Sequence, residues 1–125
     1  MDSSTEIITT IAHQIAGYVK EALTQQAEAG QPITLSMVES QLRECLRQAG
    51  RQALSEFLST ELDPAVVEIP CGCGGQLKYQ RRREAVVVSV FGRVSYERAY
   101  YAGCQCGQGQ APLDKQYGIE PGQIS

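Results

Sequence analysis

The sequence contains no long apolar run, no secretion signal and only one histidine, and each absence narrows the classes of protein it can represent. No stretch of its 125 residues approaches the roughly 20 apolar residues of a membrane-spanning helix, so we expect a soluble chain without a membrane partner. The start Met1-Asp2-Ser3-Ser4 lacks the basic residues and apolar core of a signal peptide, which favours a cytoplasmic location. His13 has no neighbour with which it could form a site, and we predict that it lies on the surface.

Groupings of residues typical of catalytic sites are also missing. The acidic residues are scattered along predicted helix faces and are not paired as in a metal-dependent nuclease. No lysine or histidine adjoins a cysteine, whereas a thiol oxidoreductase needs a cysteine whose pKa is lowered by its surroundings. We therefore predict a chain that is not an enzyme, with no catalytic residue and no small-molecule substrate.

Four of the five cysteines form two close pairs, Cys71-Gly72-Cys73 and Cys104-Gln105-Cys106, separated by 30 residues. The intervening residues read as strands around a turn at Phe91-Gly92, and pairing of those strands would bring the two cysteine pairs together. Four thiolates that converge on one point suit a tetrahedral Zn²⁺ site, although the cysteines alone do not distinguish Zn²⁺ from Fe²⁺. The predicted metal ligands are Cys71, Cys73, Cys104 and Cys106.

Glycines follow both cysteine pairs: Gly74 and Gly75 after the first, and Gly107 after the second. Glycine permits a sharp turn under the metal, so that backbone N–H groups can face the sulfur atoms. One residue separates the cysteines of each pair, where the common zinc ribbon has two, so each turn must be tighter than usual. Two disulfides and a redox dithiol are the alternatives; the N-terminus disfavours the first and the strand setting disfavours the second.

The first 63 residues predict two amphipathic helices joined as a hairpin. The first opens with the capping box Ser3-Ser4-Thr5-Glu6 and is broken by Gly30-Gln31-Pro32. The second opens with the capping box Ser36-Met37-Val38-Glu39 and stops before Asp63-Pro64. Because two helices alone bury little apolar surface, we expect the hairpin to pack on the β part or on a second copy.

The apolar face of the first helix has a heptad-like spacing that also permits dimerisation. Its residues are Ile8, Ile11, Ile15, Tyr18 and Ala22, widened by Ile7, Val19 and Leu23. The predicted apolar face of the second helix consists of Val38, Leu42, Cys45 or Leu46, Ala49, Ala53, Phe57 and Leu58. On this face Cys45 is expected to be a small core residue and not a fifth ligand.

After Pro64 the sequence predicts a small antiparallel sheet. The predicted strands are 65–69 (strand or extended link), 76–80, 84–90 and 93–101. Tyrosines are frequent in these segments; they could stack on bases, but we expect them to be half-buried packing residues. They are Tyr79, Tyr96, Tyr100 and Tyr101.

Charge is distributed unevenly along the chain. Residues 1–70 hold ten acids and four bases, residues 71–101 hold two acids and six bases, and the remainder holds two acids and one base. A polyanion would therefore meet the β part. The run Arg81-Arg82-Arg83 can contact phosphate or form a solvated bend between strands. The candidate phosphate contacts are Lys78, Arg81, Arg82, Arg83, Arg93 and Arg98.

Residues 70–122 resemble the N-terminal region of the Kra-type group of DDE transposases, which belong to bacterial insertion sequences. Six elements carry the resemblance in order, over about 53 of the 125 residues. They are Cys71-Gly72-Cys73-Gly74-Gly75, Tyr79-Gln80-Arg81-Arg82-Arg83, Phe91-Gly92, Arg98-Ala99-Tyr100-Tyr101, Cys104-Gln105-Cys106-Gly107 and Pro112-Leu113-Asp114. The chain departs from the family in the short spacing of its cysteine pairs, which bears on the coordination geometry.

The sequence patterns and the resemblance together predict an α+β chain in three parts. Residues 1–63 would form the helical hairpin, which can serve dimerisation, residues 64–110 a small antiparallel β zinc ribbon, and residues 111–125 a linker or the start of a missing downstream domain. The catalytic domain of such a transposase would lie after Ser125, so this chain would be a non-catalytic zinc module for DNA recognition or assembly. Its partner would be double-stranded DNA at a transposon end. A protein-interaction or homodimerisation module, and a captured remnant that regulates another nucleoprotein complex, remain alternative functions.

Overall fold

A computed structural model describes residues 2–60 and 67–120 of the chain. The architecture is α+β, with two long N-terminal helices followed by a three-stranded antiparallel sheet. The chain divides into two compact units, Met1–Ala49 and Gly50–Ser125. Predictions that fall on 61–66 and 121–125, including the helix stop at Asp63-Pro64 and the first two residues of the first predicted strand, lie outside the described residues.

The first unit contains helix α1 (Ser3–Glu28) and the beginning of helix α2 (Leu35–Thr60). Both helices are where the sequence predicts them, but their caps differ from the predicted capping boxes. The Asp2 carboxylate accepts a hydrogen bond from the Thr5 N–H at 2.8 Å, and the Thr34 hydroxyl accepts one from the Met37 N–H at 3.3 Å. An N-cap oxygen accepts a hydrogen bond from a free N–H two or three residues further along the chain. Asp2 and Thr34 do so here, and both precede the serines that were predicted to cap the helices.

Only part of the predicted apolar face of α1 is buried. Val19 and Leu23 are buried, whereas Ile7, Ile8, Ile11 and Tyr18 are exposed. Helix α2 also departs from its predicted face, because Leu46 and Phe57 are exposed while Leu54 packs against the core of the second unit. In both helices the sequence pattern has more apolar positions than the fold covers.

The second unit contains the end of α2, the strands β1 (Glu68–Pro70), β2 (Gln76–Ser89) and β3 (Gly92–Ala102), and the short helix α3 (Pro112–Gln116). The strand order is β1-β2-β3, and both pairings are antiparallel. Strand β2 is continuous through Arg81-Arg82-Arg83, so of the two interpretations of the arginine run the solvated bend is not the one found. One irregularity interrupts the β2–β3 register, between Tyr79 and Arg81, and leaves Gln80 as an extra residue.

The sheet has a separate apolar core on each face. Directly paired residues and alternate residues of a strand share a face. The first face, here called the α3 face, holds Ala85, Val87, Val94 and Tyr96, which pack with Leu58 and Leu113. The opposite face, here called the cysteine face, holds Leu77, Ala99 and Tyr101, which pack with Cys71.

Helix α2 also contacts the edge of β3. The Ser55 hydroxyl donates to the Ser95 carbonyl, and the Ser59 hydroxyl accepts from the Glu97 N–H at 3.1 Å. The backbone groups of residues 95 and 97 point to the same edge of the sheet. Two serines one helical turn apart therefore form hydrogen bonds with polar groups that an edge strand would otherwise leave unpaired. This packing places the unit boundary inside α2, earlier than the predicted boundary at residue 63.

Residues 112–119, expected to belong to a linker or to the start of a downstream domain, pack against the sheet. Leu113 is buried in the core of the α3 face, and Ile119 packs against the same core. Gln110 forms an antiparallel bridge with Tyr101 just before α3 begins. Across the described residues, no helix combines the length and apolarity that a membrane crossing requires.

Candidate metal centre and basic face

The four paired cysteines meet at one end of the sheet, as the sequence predicts. The Sγ atoms of Cys71 and Cys106 are 3.5 Å apart, those of Cys73 and Cys104 are 3.2 Å apart, and all four lie within 4.8 Å of one another. These distances exceed the roughly 2.05 Å of a disulfide bond, and all the thiols are free. Cys45 is half-buried and does not belong to the cluster. The four thiols can hold a metal ion.

The two cysteine pairs are held by turns of the same construction. The Gly74 N–H donates to the Cys71 carbonyl, and the Gly107 N–H donates to the Cys104 carbonyl, both at 3.0 Å. The two glycines have φ angles of 97° and 78°, in the left-handed region where glycine is favoured. The prediction that glycine permits a sharp turn after each pair is confirmed.

Backbone N–H groups point at the sulfur atoms in both turns. The Cys73 N–H donates to the Cys71 thiol, and the Cys106 N–H donates to the Cys104 thiol. The Gly75 N–H donates to the Cys73 thiol in the same way. Such bonds favour the thiolate, which is the form that binds a metal.

Gly75 is also required by close packing. A Cβ atom at this position would lie 2.8 Å from the Sγ of Cys104 and 3.6 Å from that of Cys73. The first distance is too short for a carbon and a sulfur atom in van der Waals contact. Any larger residue at position 75 would therefore push the two cysteine pairs apart.

The four thiols do not ionise independently. Hydrogen bonding from the Cys104 thiol, together with the Gly75 N–H, lowers the pKa of Cys73 to about 7. At Cys104 the Cys106 N–H acts to lower the pKa, but hydrogen bonds with the Cys73 and Cys106 thiols outweigh it and raise the pKa to about 12. Of Cys73 and Cys104, the first therefore loses its proton more readily, and a bound cation would favour ionisation of the second.

The predicted phosphate contacts are divided between the two faces of the sheet. Lys78, Arg81 and Arg83 pair with Ala102, Tyr100 and Arg98, which are alternate residues of β3, so these three cations share the α3 face. All three are exposed. We call them the basic face.

Arg82 and Arg93 lie on the opposite side of the sheet. The guanidinium of Arg82 lies 3.8 Å from the Glu97 carboxylate and donates to the Ser59 carbonyl at 2.8 Å. Arg93 is exposed and pairs with Val88 near the hairpin turn, away from the cysteines. Neither residue adds to the basic face.

Arg98, predicted to contact phosphate, is instead buried in an ion pair. It is 8 % exposed, and its Nη2 atom lies 3.1 Å from Oδ2 of Asp114. Its Nε donates to the same carboxylate, and its Nη1 donates to the Arg83 carbonyl at 3.0 Å. The prediction for Arg98 is wrong because the strand alternation that exposes Glu97 turns Arg98 toward α3.

Asp114 is the ion-pair partner of Arg98 that the sequence reasoning did not identify. Besides Arg98, it accepts a hydrogen bond from the Tyr96 hydroxyl at 2.7 Å. Burial, and then the bond to Asp114, raise the pKa of Tyr96 far above its usual value near 10. The sequence does contain a signal for the short helix that carries Asp114. Pro112 stands directly ahead of Leu113 and Asp114, and proline is favoured in the first turn of a helix.

Most of the tyrosines pack as expected. Tyr96 and Tyr101 are buried, and Tyr79 meets Tyr101 edge to face with ring centroids 5.8 Å apart. Tyr100 is covered by the Arg83 guanidinium, 4.6 Å from the ring centroid, and its hydroxyl fills the space that a Cβ at Gly109 would occupy. Tyr100 therefore orients Arg83 and offers little free ring surface for stacking on a base.

The chain was compared with family models, with curated proteins and with solved structures, and none of the three comparisons found a match.

Proposed function

We propose that this chain is a zinc-stabilised, non-catalytic module that binds the phosphate backbone of double-stranded DNA, and that it serves an insertion-sequence transposase. The observation that carries the proposal is the position of the basic face. Lys78, Arg81 and Arg83 all lie on β2, which pairs with β3, and the four cysteines lie just before β2 and just after β3. A metal bound by these cysteines would hold β2 and β3 together at the end of the sheet next to the cations.

Zn²⁺ is the metal that we propose. Zinc with four thiolates is tetrahedral with Zn–S bonds of about 2.3 Å, which places the sulfur atoms about 3.8 Å apart. The Sγ separations of 3.2 and 3.5 Å, within an overall limit of 4.8 Å, are close to this value. The N–H groups directed at the thiols would offset part of the negative charge of a four-thiolate site.

Phosphate, and not base edges, is the ligand that the basic face fits best. Its cations lie opposite the five residues of β3 from Arg98 to Ala102, whose four steps cover about 14 Å along the strand. That length corresponds to the axial rise of roughly four base pairs. Arg83 is oriented by Tyr100, and Lys78 and Arg81 form no ion pair within the described residues. The link to a transposase rests on the six ordered motifs of the sequence.

The test is a DNA titration of the zinc-loaded chain at several salt concentrations. Three phosphate contacts predict a slope of log K against log [salt] near −3, because each contact contributes about −0.9. The double change Lys78→Gln and Arg81→Gln should reduce the magnitude of the slope by about 2. The matched control is Arg43→Gln with Arg47→Gln, which removes the same charge from exposed positions of α2.

Absence of binding at low salt would refute the DNA proposal. Equal effects of the two double variants would also refute it, since binding would then reflect net charge and not the basic face. Arg83 is left unchanged in this test because its removal would also uncover Tyr100.

A further inference from the structure

Helix α1 has two apolar faces, and the fold uses only one of them. Ala16, Val19, Leu23 and Ala27 line an apolar groove of about 450 Å³, together with Val38 and Leu42 of α2 and Ile33 between the helices. The second apolar face consists of Ile8, Ile11, Ile15, Tyr18 and Ala22. At 100° per residue its centre lies about 100° around the helix from the first. We call this second face the α1 seam.

The α1 seam is open to solvent. The exposed fractions are 66 % for Ile8, 48 % for Ile11 and 58 % for Tyr18, and Ile15 is half-buried. Scattered exposed apolar residues are ordinary, but a contiguous row of large ones marks an interaction surface. No charged residue interrupts the row.

The spacing of the α1 seam specifies the shape of its partner. Its residues recur at intervals of three, four, three and four, which is the a and d pattern of a helix that coils around another helix. The first unit has little core of its own, since within its described part only Val19 and Leu23 are buried. A helix pair with so small a core needs further apolar contact to be stable.

We propose that the α1 seam binds the α1 seam of a second copy of this chain, which makes the protein a homodimer through its first unit. A two-fold pair places the same apolar residues opposite one another, so one seam is complementary to the other. Pairing buries no charge, because the seam carries none. This proposal is independent of DNA binding, since it rests on α1 alone.

The available area agrees with a weak dimer. Helix α1 has 26 residues, so it is about 39 Å long and about 10 Å wide. One face of this helix offers roughly 400 Å² per copy, or about 800 Å² per dimer, which is the size of weak or transient interfaces.

The test is sedimentation equilibrium of the zinc-loaded 125-residue chain from about 1 to 100 μM. We expect the mass to approach twice 13.6 kDa as the concentration rises. Ile11→Lys should raise the dissociation constant at least about tenfold, because an ammonium group would enter an apolar seam. The control His13→Lys adds the same charge to the exposed side of the same helix, off the seam, and should not change the mass distribution. Circular dichroism checks that both variants keep their helical content.

Three outcomes would overturn the proposal. The first is a mass of 13.6 kDa throughout the concentration range. The second is an equal response to Ile11→Lys and His13→Lys. The third is dissociation by Leu46→Lys, on the exposed side of α2, without dissociation by Ile11→Lys, which would place the interface elsewhere. DNA binding is measured separately, so failure of one proposal is not mistaken for failure of the other.

Discussion

Gly75 shows how one small residue controls the distance between the two cysteine pairs. It gives Cys73 a hydrogen-bond donor and leaves room for the Cys104 sulfur beside its own Cα. Gly72 has neither role, since a Cβ there would meet nothing within 4 Å. The two glycines of the first turn thus differ in function although they are three residues apart.

We predict that Gly75→Ala lowers the affinity for zinc by about ten- to a hundredfold, the usual cost of disturbing groups around metal ligands. The added methyl group would press on the Cys104 Sγ and spread the ligands. Competition against a chelator of known affinity measures the effect, and Gly72→Ala is the matched control. Equal affinities for the two variants would contradict the role assigned to Gly75.

The candidate metal centre could be predicted at the residue scale because cysteine pairs are informative by themselves. The spacing of Cys71, Cys73, Cys104 and Cys106 predicted their convergence before any strand register was known. The burial of Arg98 could not be predicted in this way. Whether an arginine faces solvent or a carboxylate depends on which strand face is covered, and the covering residue, Asp114, lies 16 positions away.

Helix α3 illustrates how a five-residue element is held by one polar network. Its Asp114 receives the Arg98 guanidinium and the Tyr96 hydroxyl, and Arg98 in turn binds the carbonyl of Arg83 in β2. The network thereby connects α3 to both long strands. Since Arg83 belongs to the basic face, α3 also supports the backbone beneath one of the proposed phosphate contacts.

We predict that Asp114→Ala destabilises the second unit by about 3–5 kcal/mol, because it leaves the Arg98 charge buried without a partner. Lys115→Ala, an exposed position on the same helix, should change stability by less than about 0.5 kcal/mol. Urea denaturation of the zinc-loaded chain measures both. Replacing the pair with Arg98→Met and Asp114→Leu should restore much of the loss, and failure to do so would indicate that the hydrogen bonds to Tyr96 and Arg83 dominate.

At the element scale the sequence predicted the long helices and the hairpin strands, since each has a clear period and clear end signals. The predicted apolar face of α1 is buried only at Val19 and Leu23, because α1 carries two apolar faces and periodicity does not say which one the fold covers. The sequence also left open a bend at the arginine run, although paired strands accept consecutive arginines where one or both faces are open to solvent.

Across the whole molecule, the sheet has two cores of different character. The core on the α3 face contains only apolar and aromatic groups from β2, β3, α2 and α3. The core on the cysteine face is smaller and includes Cys71, with Cys104 packed against it. The metal should therefore support one end of the second unit, while the other end depends on ordinary apolar packing.

We predict that removal of the metal by a chelator exposes the cysteine end of the sheet and leaves the hairpin end folded. Hydrogen exchange should show loss of protection at Leu77, Tyr79 and Tyr101, while Val87, Val94 and Tyr96 stay protected. Elemental analysis before and after treatment should show about one zinc per chain and then none. Uniform loss of protection would contradict the division into two cores, and protection unchanged throughout would show that the metal does not stabilise the sheet.

The extra residue Gln80 has a consequence for the evolution of this strand. Its side chain donates to the Lys78 and Ala102 carbonyls, which holds the irregularity in place, but no residue of β3 pairs with it. Strand β2 therefore carries one spare residue between the hairpin turn and the cysteines. A lineage could lose Gln80 and straighten the strand without shifting Leu77 or Cys71 to the wrong face. An inserted residue could not be accommodated in this way, because the strand register would shift by one residue and every side chain beyond the insertion would point to the opposite face of the sheet.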